Sequence, residues 1–400
     1  MEFNTVGRWE RGELTPQPWR RKKMARELGV SLDELATMLE TGTESQRDKG
    51  STIVPFGHAD PIDLFDDRFM VTDARASARF SREVAAWRTD EGSLMQVEHD
   101  IARFAAEYVT RPLADLLAEI RQVREQVFGL LRDNRHPNQL RRLYVAASRA
   151  SGLLAHVCLD RGKYEVAQEH ADTAFSCADQ AGHHGMRAWV RGLQSLIAYW
   201  NGQFGDAMMY ASDGSRFTTS GSVMARLPSL EARACAAVGD RDGTVAALGR
   251  ADAARAIDTD DDVGVFTFPA AKQAVYAGTA LLTLRDRTLA EPAIHQSSSA
   301  LALYAASEPA NQSSGDMLAA RLDLAAAHLV RDDLDAVVEQ LAVVLVVPQA
   351  RRTASIMQRA GRIGAQLSGP RYGSSTQGRQ MRAEVTAFCA PPPALPGSSA

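Results

Sequence analysis

A short motif that recurs along this 400-residue chain limits its possible folds more than any other feature. Each copy is a polar turn, followed two positions on by an aromatic or aliphatic residue and three positions later by a small residue, usually Ala. The copies end at Ala167, Ala207, Thr244, Ala290 and Ala336, so the steps between them are 40, 37, 46 and 46 residues. Spacing of this kind is typical of stacked structural repeats.

A second small residue stands twelve positions before the end of most copies. These residues are Ala155, Ser195, Ala232 and Gly278, whereas the fifth copy has Leu324 and departs from the pattern. Because two antiparallel helices approach closely only where small side chains face each other, the spacing predicts a helical hairpin around each turn. One hairpin cannot bury its apolar face alone, so neighbouring hairpins are expected to stack into an α-solenoid.

Apolar residues also recur at helical spacing outside the repeats, for example over 97–108 and 113–130. No stretch shows the alternation typical of strands, and 45% hydrophobic residues are enough for a sizeable core, so the predicted fold class is all-α. The expected organisation is a head over 1–40, a polar linker over 41–72, a helical capping or dimerisation region over 73–139, repeats over 140–389 and a disordered tail over 390–400.

The repeats over roughly 140–345 resemble long and divergent copies of the tetratricopeptide repeat, and a generic bundle of Ala-rich helices is the alternative. In the tetratricopeptide fold the first helix of each pair lines a concave groove. The resemblance therefore implies a groove lined by Arg149, His156, Trp189, Tyr199, Arg226, Arg233, Lys272, Arg321 and His328. Asp160 is the one acid among them, so the groove suits an anionic partner: a peptide carboxylate, an acidic protein segment or a phosphorylated small molecule. A different helical register would instead place several of these residues on solvated faces.

The N-terminal segment is basic and has helix signals of its own. Residues 8–26 hold seven Arg or Lys against two Glu, a net charge of +5, although the whole chain has a net charge of −4. Gly12 and Gly29 are placed to end two short helices. Ser31, followed three positions later by Glu34, forms a capping box that starts a third. The overall charge excludes a basic coat for nucleic acid but allows a local basic site here.

The run VGRWERGELTP, followed by ARELGVSLDELATML, resembles the second half of an Xre-type (lambda-repressor-like) helix-turn-helix domain. In that family the helix before the W-E-x-G signature enters the major groove. The resemblance implies base contacts for Asn4, Thr5 and Arg8, and a structural role for Trp9 and Glu10. It implies phosphate contacts for Arg11, Arg20, Arg21, Lys22 and Lys23. Base contacts supply specificity, whereas phosphate contacts supply affinity and salt dependence.

A complete domain of this family has further helices before the recognition helix, so the resemblance implies an N-terminally truncated head. A vestigial helix pair without DNA affinity is the alternative. Such a head before helical repeats looks like the actinobacterial Xre regulators with tetratricopeptide-like sensor domains. That resemblance implies a transcription regulator that binds DNA and a groove ligand as a homodimer. A tetratricopeptide scaffold that has lost DNA binding is the second hypothesis, and an all-α enzyme, for which the sequence offers no convergent titratable residues, is the third.

Other classes of site are not indicated. The sequence contains no HExxH, GxGxxG, P-loop or GxSxG motif, and the pair His183 and His184 is typical of a turn between repeats. The four Cys are far apart, which argues against a zinc ribbon or a disulfide framework and favours a reducing cytoplasm. The first residues lack the apolar stretch of a signal peptide, and the longest apolar run, 341–347, is too short for a membrane span. We therefore expect no metal, no cofactor, no catalytic residues and no membrane association.

Overall fold

The computed structural model describes residues 25–26, 29–31, 34–35, 67–86, 89–217, 220–257 and 262–390. Its contacts divide the chain into a unit of residues 1–81 and a unit of residues 82–400. All regular secondary structure in the described ranges is helical, so the predicted all-α class is confirmed. None of the helices in these ranges combines the length and the apolar character needed to cross a bilayer.

The described part of the first unit contains the predicted helix signals. Gly29 has a φ of 68°, and the Val30 amide donates a 3.0 Å hydrogen bond to the Ala25 carbonyl, which ends a helix at that point. Ser31 and Glu34 form the reciprocal capping box, with backbone-to-side-chain hydrogen bonds of 2.8 and 3.1 Å. Hydrogen bonding of the Ser31 backbone amide and side chain to the Glu34 carboxylate lowers the pKa of Glu34. The stop at Gly29 and the capping box are therefore confirmed.

Helix α1 (Asp67–Ala86) precedes a series of helical hairpins in the second unit. The hairpin helices are α2 (Glu91–Glu107), α3 (Leu113–Asp133), α4 (Pro137–Asp160), α5 (Tyr164–Gln180), α6 (His184–Trp200), α7 (Phe204–Gly214), α8 (Val223–Ala237), α9 (Arg241–Arg255), α10 (Ala270–Thr283), α11 (Ala290–Ala305), α12 (Ser314–Arg331), α13 (Leu334–Leu345), α14 (Ala354–Leu367), α15 (Pro370–Gly373) and α16 (Thr376–Cys389). One buried apolar cluster extends from Leu94 in α2 to Phe388 in α16, so the hairpins share a continuous core.

The small residues of the repeat lie where the two helices of each hairpin meet. Ala167 in α5 and Ala207 in α7 are fully buried, and so are their predicted partners Ala155 and Ser195. The Ser195 hydroxyl donates a 2.7 Å hydrogen bond to the Ala207 carbonyl across the helix pair. At the fourth hairpin, a Cβ added to Gly278 would lie only 2.6 Å from the Ser297 hydroxyl. The close approach predicted from the twelve-residue spacing is therefore confirmed.

The sequence pattern predicted the fifth copy of the repeat one residue too early, ending at Ala336. Its turn residue is Asp332, which has a φ of 68°, and the fully buried residue five positions later is Val337, not Ala336. Twelve positions before Val337 stands Ala325, which is also fully buried. In this register the fifth copy has a small residue at the same position as the other copies, and Leu324 is not part of the pattern. The error arose because Asp is one of the few residues other than Gly that adopt the left-handed conformation.

The hairpin turns themselves give a matched stability test at Gly202 and Gly205. Gly202 has a φ of 76°, whereas Gly205 lies in α7 with nothing within 4 Å of an added Cβ. We expect Gly202→Ala to lower the free energy of unfolding by about 1–2 kcal/mol, because a Cβ is strained in this conformation. Gly205→Ala should raise it by about 0.5 kcal/mol, because Ala has less backbone entropy to lose. Urea denaturation of both variants measures the difference, and equal effects would contradict it.

The stack of hairpins curves until its later parts contact its first helices. Gln358 in α14 donates a 2.7 Å hydrogen bond to the Tyr164 hydroxyl at the start of α5. Short 3₁₀ turns between the later hairpins, Gly264–Phe266 and Pro309–Asn311, pack against α2, and a third, Gln349–Arg351, packs against α3. These contacts enclose an interior space between the first helices of the hairpins.

Candidate functional site

The interior of the second unit holds a cavity of about 150 Å³. Its walls come from α4, α6, α8, α10, α12 and α14, which are the first helices of successive hairpins, and from the loop between α2 and α3. The acidic side chains in the lining are Asp160 and Asp316. The basic ones are Arg111, Arg161, Arg233, Lys272, Arg351, Arg352 and Arg359. A cavity with this excess of basic groups has a positive electrostatic potential.

Arg233 on α8 is the most unusual of these basic residues. It is only 2% exposed, and its guanidinium carbon lies 4.2 Å from the ring centre of Tyr199, 4.5 Å from that of Tyr276 and 5.4 Å from that of Trp200. Its Nε and Nη2 atoms have no hydrogen-bond partner among the described residues. The aromatic contacts recover part of the cost of burying the charge, but the unmade hydrogen bonds remain costly.

The pKa of Tyr199 is affected by the positive potential in this part of the cavity. Burial alone would raise the pKa of its phenol, but the nearby charges of Arg233, Arg359 and Arg362 lower that pKa below its ordinary value. The phenolate is stabilised by the same charges that would stabilise any other anion here. The region around Arg233 is therefore suited to hold negative charge.

Several of the other cations are compensated by carboxylates. Arg359 forms an ion pair with the buried Asp323, and Lys272 lies 3.5 Å from Asp316. Burial would lower the pKa of Lys272, but Asp316 raises it. Arg111 is bonded to Glu107 and Glu119. These pairs fix the walls of the cavity, and among the described residues of its lining they leave Arg233 as the buried cation without a carboxylate.

The loop between α2 and α3 closes one side of the cavity through Tyr108. The Tyr108 hydroxyl donates a 2.8 Å hydrogen bond to Asp160, and the same oxygen lies 3.2 Å from Nδ1 of His156. Burial and the charge of Asp160 hold the pKa of Tyr108 well above its ordinary value, so the hydroxyl keeps its proton. The Asp160 carboxylate is therefore already hydrogen-bonded within the protein.

The N-termini of two helices also face the cavity. Ser313 caps α12 by accepting a hydrogen bond from the Asp316 amide, and Thr353 caps α14 by accepting one from the Ile356 amide. Both capping residues line the cavity, together with Ser314. Because the amide groups at a helix N-terminus carry partial positive charge, these ends add to the potential from the basic side chains.

The structure brings four of the nine predicted groove residues together. His156, Arg233 and Lys272 line the cavity, and Tyr199 packs against Arg233. Asp160, the predicted acid of the groove, also lines the cavity.

Two further predicted residues form a buried pair of their own. The guanidinium of Arg226 donates a 3.0 Å hydrogen bond to the Trp189 carbonyl and lies 5.0 Å from the centre of its ring. Burial lowers the pKa of Arg226 to about 10. Trp189 also contacts Phe266, whose ring centre is 4.7 Å away. This pair supports the packing of α6 against α8 and does not line the cavity.

The remaining three predicted residues lie elsewhere. Arg149 forms an ion pair with Asp262. Arg321 donates a 3.1 Å hydrogen bond to Gln340 in the second helix of its own hairpin. His328 lies at the end of α12. The groove predicted as one surface is therefore divided among the cavity, the buried pair and three residues that belong to neither.

Sequence reasoning missed the residues that complete the cavity. Tyr108 was absent from the prediction because the loop between α2 and α3 carries no copy of the repeat. Arg359 was absent because α14 belongs to a hairpin that the motif does not mark. Asp316 stands in the first turn of α12, seven residues before Asp323. The helical spacing of these two acids was the sequence signal available for Asp316, and the place of Arg359 on α14 was the signal available for Arg359.

The residues predicted to contact DNA cannot be placed in the same way. Asn4, Thr5, Arg8, Arg11, Arg20, Arg21, Lys22 and Lys23 lie outside the described residues. No protein-family model matches the chain, and no curated protein is significantly similar to it. The functional conclusion therefore rests on the cavity and on the residues of the N-terminal segment.

Proposed function

We propose that the chain is a cytoplasmic transcription regulator that binds a small anionic ligand inside its helical hairpins and DNA through its basic N-terminal segment. One observation carries the ligand half of the proposal: Arg233 is buried without a hydrogen-bond acceptor for two of its nitrogen atoms. A buried guanidinium without partners costs stability, and an anion in the cavity would supply the missing acceptors. Sites that lower stability in this way are often functional.

The position of the cavity explains how a bound ligand changes the arrangement of the hairpins. Its walls come from both early and late hairpins, since Asp160 ends α4 and Arg359 lies on α14. A ligand that contacts Arg233 and the N-termini of α12 and α14 binds the closed arrangement better than an opened one. Differential affinity of this kind shifts the population between two arrangements. In the proposed regulator, that shift changes how a dimer presents its two DNA-binding segments.

The DNA half of the proposal is supported by the sequence of the N-terminal segment. Residues 8–26 carry a net charge of +5 and include the run that resembles an Xre-type helix-turn-helix domain. The second part of the run that carries this resemblance includes the capping box of Ser31 and Glu34. Phosphate contacts from this segment would make DNA binding strongly dependent on salt.

A mobility-shift assay of the full chain on genomic fragments tests DNA binding. We expect complexes at roughly 50 mM salt whose affinity falls by about two orders of magnitude at roughly 200 mM, because several phosphate contacts are lost together. The double variant Arg20→Gln/Arg21→Gln should weaken binding at least tenfold. Its control, Arg379→Gln/Arg382→Gln, makes the same change in net charge at two exposed residues of α16 and should bind normally. Anion binding without any DNA complex at low salt would favour the scaffold hypothesis instead.

A further inference from the structure

We infer that the ligand of the cavity is a small phosphate monoester with an aromatic group, whose phosphate is held by Arg233. This inference rests on the proposed role of the cavity as an anion site and names the class of anion. It selects the phosphorylated small molecule from the three kinds of anionic partner that suit the predicted groove. Three properties of the cavity lead to it: its uncompensated charge, its hydrogen-bond donors and its aromatic walls.

The charge of the lining favours a dianion over a single carboxylate. Arg161, Arg233 and Arg351 form no ion pair with any described residue, and Arg352 is bonded to the backbone carbonyls of Val347 and Phe388. Arg161 and Arg351 are exposed at the mouth, whereas Arg233 is buried. A carboxylate would bring one negative charge to this set. A phosphate monoester brings about 1.5–2 negative charges near neutral pH and therefore compensates it better.

The donors around the cavity also match a phosphate group. Arg233 belongs to the lining, and its Nε and Nη2 atoms are buried without a hydrogen-bond partner among the described residues. These two neighbouring nitrogen atoms form the edge of a guanidinium that pairs with two oxygens of one phosphate. Hydroxyl groups of Ser314 and Ser355 line the same space, as do the N-termini of α12 and α14. Phosphate has three acceptor oxygens, so it can use donors from several directions at once, and helix N-termini are common phosphate sites.

The remaining walls fit a single aromatic ring. Trp200 and Tyr276 line the cavity beside Arg233, and Leu196 and Val275 add aliphatic surface. The cavity of about 150 Å³ has the size of an engineered apolar cavity that is known to hold benzene. The ligand is therefore small, with one ring on the aromatic wall and its phosphate on Arg233.

Isothermal titration of the full chain with phenyl phosphate, benzoate and inorganic phosphate tests the inference. We expect phenyl phosphate to bind at least tenfold more tightly than either of the other probes, because only it supplies both the ring and the dianion. Arg233→Met should weaken phenyl phosphate at least a hundredfold. Arg321→Met, which changes an Arg of α12 bonded to Gln340 outside the cavity, should leave it unchanged.

A second variant keeps the test independent of folding. Arg351 is exposed at the mouth, so Arg351→Gln should fold normally, weaken phenyl phosphate three- to tenfold and reduce the salt dependence of binding. Tightest binding of benzoate would overturn the phosphate assignment and leave the proposed anion site standing. Equal binding of phenyl phosphate and inorganic phosphate would overturn the aromatic part. Failure of all three probes to bind would overturn both this inference and the ligand half of the proposed function, while the DNA assay would still stand on its own.

Discussion

Arg359→Met is expected to lower the free energy of unfolding by about 3–5 kcal/mol, because it leaves a buried carboxylate without its cation. Arg359 and Asp323 form an ion pair in which their side chains are 9% and 7% exposed. Thr279 completes the group: its hydroxyl donates a 2.6 Å hydrogen bond to Asp323 and accepts one of 3.0 Å from Arg359. The three residues join α10, α12 and α14, so the loss should appear in urea denaturation followed by circular dichroism.

Two controls separate the loss of the ion pair from the change in side-chain shape. Arg359→Met/Asp323→Asn removes both charges and should recover most of the lost stability. Arg233→Met makes the same substitution at a buried Arg that has no carboxylate among the described residues, so it should leave the stability of the ligand-free protein unchanged or raise it by about 1–4 kcal/mol. Equal losses of stability for Arg359→Met and Arg233→Met would show that the loss does not come from breaking the ion pair with Asp323.

The hairpins were predictable from the sequence because their determinants are local. Gly162 and Gly202 have φ angles of 71° and 76°, and Ala167 and Ala207 follow each at a fixed distance, so turn and contact share one short motif. The fifth copy slipped by one residue because Asp332 replaces Gly at the turn. The hairpins of α2 with α3 and of α14 with α16 carry no such motif, and only helical periodicity indicates them.

The cavity was predictable only in part because it depends on contacts between distant hairpins. Arg233 and Lys272 lie on first helices, and the repeat register placed them correctly on the inner face. Arg149 lies on a first helix as well, α4, but seven positions before His156, where it pairs with Asp262 and lines a separate pocket. The curvature that places Tyr108 beside His156 comes from many small rotations between hairpins, and no local pattern encodes their sum.

Gly264→Ala is expected to lower the free energy of unfolding by about 2–4 kcal/mol, which combines a strained backbone with overpacking. Gly264 has a φ of 54°, and an added Cβ would lie 1.9 Å from the Ala105 carbonyl oxygen in α2. The segment 262–269 would have to move away from α2. The Val265 carbonyl, which accepts a 3.3 Å hydrogen bond from the Trp189 indole, would move with it. Thermal denaturation measures the loss, and Trp189 fluorescence should shift to longer wavelength as its ring becomes exposed to water.

The control for this prediction is Gly249→Ala in the middle of α9, where an added Cβ has nothing within 4 Å. It should raise stability by up to about 1 kcal/mol, because Ala is the better helix former. Since Val265 also lines the cavity, Gly264→Ala should weaken phenyl phosphate binding as well, whereas Gly249→Ala should not. Unchanged thermal stability of Gly264→Ala would mean that the contact of this segment with α2 contributes little to the closure of the hairpins. Loss of stability together with loss of binding would instead tie the closed arrangement to the ligand, as regulation through the cavity requires.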